Sequence, residues 1–70
     1  MIQYLILTEA CFGRRVLIPA ARMVVHENVR EAEGHYARAP MCDVTVLGGG
    51  DPIPVAQSFD EICALLRRPT

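Results

Sequence analysis

Cys11, Cys42, Cys63, His26 and His35 are the side chains of this chain with the chemistry to hold a soft metal ion or to answer an oxidant. Zinc sites ordinarily include at least one closely spaced pair such as C-x2-C, and these five residues form none. Cys42 abuts a strand and Cys63 falls on the apolar stripe of a helix, so both read as small buried hydrophobes. Cys11 sits beside a turn and is the expected exposed, reactive thiol. No metal and no cofactor is expected.

Basic and aromatic residues interleave in one place, Arg30, His35, Tyr36 and Arg38, to which Arg14 and Arg15 could add. Such a set can bind an anion or RNA, with Tyr36 stacking on a base. Glu27, Glu31 and Glu33 share the stretch and would repel phosphate, so a solvated loop is the plainer reading. Gly48-Gly49-Gly50-Asp51 resembles a phosphate cradle only in composition. A phosphate loop needs a helix directly after it, whereas Pro52 and a strand follow here. Ser58 serves better as a helix cap than as a nucleophile, and neither histidine has an orienting partner in sequence. Catalysis is not expected.

The chain around these residues is short. Seventy residues make a single domain, 51% hydrophobic, 6% aromatic and without tryptophan. Domains of this size bury only about 60% of the surface of the unfolded chain, and often lean on a partner subunit. The aliphatic excess predicts a homo-oligomer. Net charge is −1, all the basic residues are arginine, and the pI is near 6.0, which disfavours non-specific binding to phosphate backbones. Three widely spaced cysteines do not make a secreted disulfide framework. Ile2 to Leu7 is apolar but too short to span a bilayer, and no basic residue precedes it; the expectation is a cytoplasmic protein with no membrane contact.

Hydrophobic periodicity places the elements. Ile2 to Thr8 is a strand with apolar residues on both alternating sets, so both faces are expected to meet cover. Glu9 to Gly13 turns the chain into a second strand, Val16 to Ile18, stopped by Pro19. A third strand begins at Met23. Between His26 and Met41 the pattern admits a short helix, but a long hairpin turning at Glu31-Ala32-Glu33-Gly34 is preferred, with Gly34 in the left-handed position. Val44 to Leu47 is the fourth strand, and the glycine run is the strongest turn signal. Pro52 and Pro54 alternate with Ile53 and Val55, which predicts an edge strand paired on one side at most. Ser58 with Glu61 forms a capping box. Asp60 and Glu61 in the first turn and Arg67 and Arg68 in the last suit the helix dipole. Phe59, Ile62, Cys63 and Leu66, with Leu65 beside them, form the stripe that must dock on the sheet.

From Val44 to Leu66 the chain resembles the small FlbD-type flagellar proteins. The shared pattern is a strand, a glycine turn, a short strand with Ile53 and Val55, and Ser58 opening an acidic-apolar helix. A fainter likeness covers Gly13 to Val25. Pro19 stands where that family tends to carry Asn, and Asp51-Pro52 replaces its usual basic pair. The resemblance implies a shared fold and no catalytic residues.

These readings converge on an α+β fold: a small bent antiparallel sheet or barrel of about five strands with one C-terminal helix packed on it. The expected function is a non-enzymatic, self-associating protein-interaction module that presents Arg30 to Arg38 to a protein partner. The alternatives are a small β-barrel RNA-binding regulator using Arg14, Arg15, Arg30, Tyr36 and Arg38, and a thiol or metal sensor using Cys11 and the histidines.

Overall fold

The computed structural model describes residues 3–28 and 35–68. Five strands form two antiparallel sheets, and one C-terminal helix covers them, as the hydrophobic patterning predicts. Strand β1 (Tyr4–Thr8) pairs with β2 (Arg15–Pro19), and β3 (Met23–Glu27) pairs with β4 (Cys42–Val46), which pairs in turn with β5 (Ile53–Val55). Helix α1 spans Phe59–Arg67.

Period-2 alternation decides what each strand buries. Leu5 and Leu7 of β1, Ile18 of β2, Cys42 and Val44 of β4 and Val55 of β5 meet Ile62 of α1 in one core. Val16, Met23, Val25, Val46, Ile53 and Leu65 pack around it, half-buried. The expectation that both faces of β1 are covered is overturned. Tyr4 and Ile6 are exposed, because the other strands and the helix lie on one side of the hairpin only.

Turns follow local chemistry. Gly13 closes the β1–β2 turn at φ 72°, donating its N–H to the Glu9 carbonyl at 3.0 Å. Gly48 takes φ 80° after β4. Both values lie in the left-handed region, where a Cβ is penalised. Pro19 ends β2 and caps a single 3-10 turn, Ala20–Arg22, which carries the chain from one sheet to the other. The Leu47 N–H donates to the Arg22 carbonyl at 2.7 Å, tying that crossing to the β4–β5 turn.

The predicted edge character of β5 also needs correction. Its second side is occupied through a bridge between Glu9 and Val55. The Ala10 N–H donates to the Pro54 carbonyl at 2.7 Å, and the Ala56 N–H donates to the Thr8 carbonyl at 2.9 Å. Proline removes a donor but keeps its acceptor, so a partner that supplies the N–H can still pair there. The two sheets thereby join in the order β2-β1-β5-β4-β3.

Gln57 locks this joint. The Thr8 N–H donates to Gln57 Oε1 at 2.8 Å, and Gln57 Nε2 donates to Thr8 Oγ1 at 3.2 Å. Replacing Gln57 with alanine strands the half-buried Thr8 N–H, and the expected loss is about 1–2 kcal/mol. Chemical denaturation measures it; Gln57→Glu, which keeps the acceptor, should recover part of the loss.

The preferred long hairpin holds at its base and fails further out. Glu27 pairs with Cys42, and the Asn28 N–H donates to the Met41 carbonyl at 2.9 Å. Beyond that, residues 35–40 are not a strand arm. They cross to the β1–β2 turn, where the N–H groups of Ala37 and Arg38 donate to the Cys11 and Ala10 carbonyls at 3.3 and 3.1 Å. The anticipated turn at residues 31–34 lies outside the described residues.

The helix begins as its sequence signals. Ser58 Oγ accepts from the Glu61 N–H at 3.2 Å, satisfying one otherwise orphaned donor. The reciprocal bond of the box runs to the hydroxyl itself: Ser58 Oγ donates to Glu61 Oε1 at 3.3 Å. Docking is narrower than the predicted stripe. Ile62 is buried and Leu65 packs on the core, while Phe59 and Leu66 stay exposed at the flanks. No helix of the structure is long and apolar enough to cross a membrane among the described residues.

Candidate interaction surface

The uncovered face of the β1–β2 hairpin is built by its register. Tyr4 stands opposite Pro19, Ile6 opposite Leu17, and Thr8 opposite Arg15. Bonds from Glu9 N–H to Arg14 C=O and from Ala20 N–H to Gln3 C=O mark the exchanging pairs at the two ends. Alternation then makes the three outward pairs the non-hydrogen-bonded ones, whose side chains approach most closely across the ladder. Tyr4, Ile6 and Leu17 are 50%, 57% and 61% exposed. A shallow depression of about 290 Å³, lined by Ile6, Arg15, Val16 and Leu17, opens beside them.

A second exposed feature lies at the hairpin tip. Phe12 is 72% exposed, with the Arg14 guanidinium 5.0 Å from its ring centroid. Arg14 Nε also donates to Glu9 Oε1 at 2.7 Å, and that bond and charge hold the guanidinium more firmly protonated than usual. The segment from residues 35 to 40 runs alongside, so Arg38 comes close to Gly13.

The sequence-predicted cluster is therefore only partly gathered. Arg14 and Arg38 both reach the tip, whereas Arg15 lies on the hairpin face opposite Thr8. His35 is exposed and Tyr36 half-buried. Arg30 lies outside the described residues. Sequence reasoning passed over Phe12 and over Tyr4, Ile6 and Leu17 as a surface. An aromatic directly before a turn glycine was a legible signal for the first. Nothing local distinguishes an apolar strand residue facing a core from one facing solvent.

The three thiols are free. Cys42 is buried and Cys11 and Cys63 are half-buried, so Cys11 is less open than its place by a turn implied. Among the described residues, no three of His, Cys, Asp and Glu gather where they could hold a metal ion. Burial first, and then the charges of Glu27 and Asp43, push the Cys42 thiol above its ordinary value. The folded state thus keeps this proton more tightly than the unfolded chain. Stability from this source is whole below the unfolded thiol value, about 8.5, and is lost as pH rises toward the raised folded value. Thermal melts should fall from about pH 8.5 upward, and Cys42→Ala, though less stable at pH 7, should show a flatter alkaline limb.

No family model, no curated protein and no solved structure matches this chain.

Proposed function

We propose that this protein is a non-enzymatic module that assembles with itself and serves as an interaction component. The observation that supports this reading is the apolar outer face of the β1–β2 hairpin, where Tyr4, Ile6 and Leu17 stand half or more exposed. Burying the exposed half of such residues recovers on the order of 1 kcal/mol each, and contiguous exposed apolar faces mark association sites. The surface that carries association is thus the hairpin face rather than the Arg30 to Arg38 segment. The RNA-binding alternative has weaker support, since Glu9 takes up the charge of Arg14 and Arg15 stands apart from Arg38.

Native mass spectrometry of the untagged protein tests the reading. A defined oligomer is expected, reduced to monomer by the double substitution Ile6→Arg and Leu17→Glu, opposite charges being chosen because the two residues face each other across the ladder. Both side chains are exposed, so the charges should leave the monomer fold intact. A monomeric wild-type protein at micromolar concentration overturns the proposal.

A further inference from the structure

We draw no further inference here: the strongest candidate, the apolar outer face of the β1–β2 hairpin formed by Tyr4, Ile6 and Leu17, belongs to the surface already described, and nothing in the structure shows what covers it.

Discussion

Leu7→Ala is expected to bring this protein to the margin of unfolding. Leu7 is 0% exposed and lies in the core with Val44, Val55 and Ile62. Removing its branched end loses transfer free energy and leaves a cavity, together about 2–5 kcal/mol. A chain of seventy residues has only about 4–10 kcal/mol to lose. With a urea slope near 1 kcal/mol per molar, the midpoint should fall by about 2 M or more. The comparison is made at fixed protein concentration, because association shifts apparent stability. Leu17→Ala, on the opposite face of the hairpin, should change the monomer's stability by less than about 0.5 kcal/mol. A larger fall for Leu17→Ala than for Leu7→Ala would mean that the hairpin presents its other face to the core, since a one-residue slip exchanges the two sets of side chains.

Ile62→Ala should undock the helix. Ile62 is the one buried residue of α1, with Leu65 half-buried beside it. A helix of nine residues lacks the length to persist alone in water, so its survival depends on this contact. The expected loss is again about 2–5 kcal/mol. Amide hydrogen exchange resolves where it falls. Protection across Ile62 to Leu66 should drop further than protection in the β1–β2 ladder. Leu66→Ala, at an exposed position on the same helix, should leave both nearly unchanged. If the two helix variants behave alike, docking runs through another side of α1 than the one the structure shows.

Much of the fold was legible because its signals are local. Pro19 had to end a strand, the glycine run had to turn, and Ser58 three residues before Glu61 had to start a helix. Each depends on one residue's allowed torsions or on a bond within a single turn. The candidate surface was not legible in the same way. Arg14, Arg15 and Arg38 looked like one patch in sequence, but their places in the turn, the ladder and the crossing segment separate Arg15 from the others. The Gln57 clamp on Thr8 joins groups forty-nine positions apart, and no window along the chain contains both. The pairing of β5 on its proline side depended on where Ala10 could offer an N–H.

The sequence by itself determined the order of the elements, their caps and turns, and the two apolar sets of β1, since side-chain size and backbone torsion act over a few residues. Only the tertiary structure decided which of those sets is buried. The helix and the remaining strands cover one side of the hairpin, and the core takes Leu5 and Leu7. Among the described residues, nothing lies over Tyr4, Ile6 and Leu17 on the other side, and they face water.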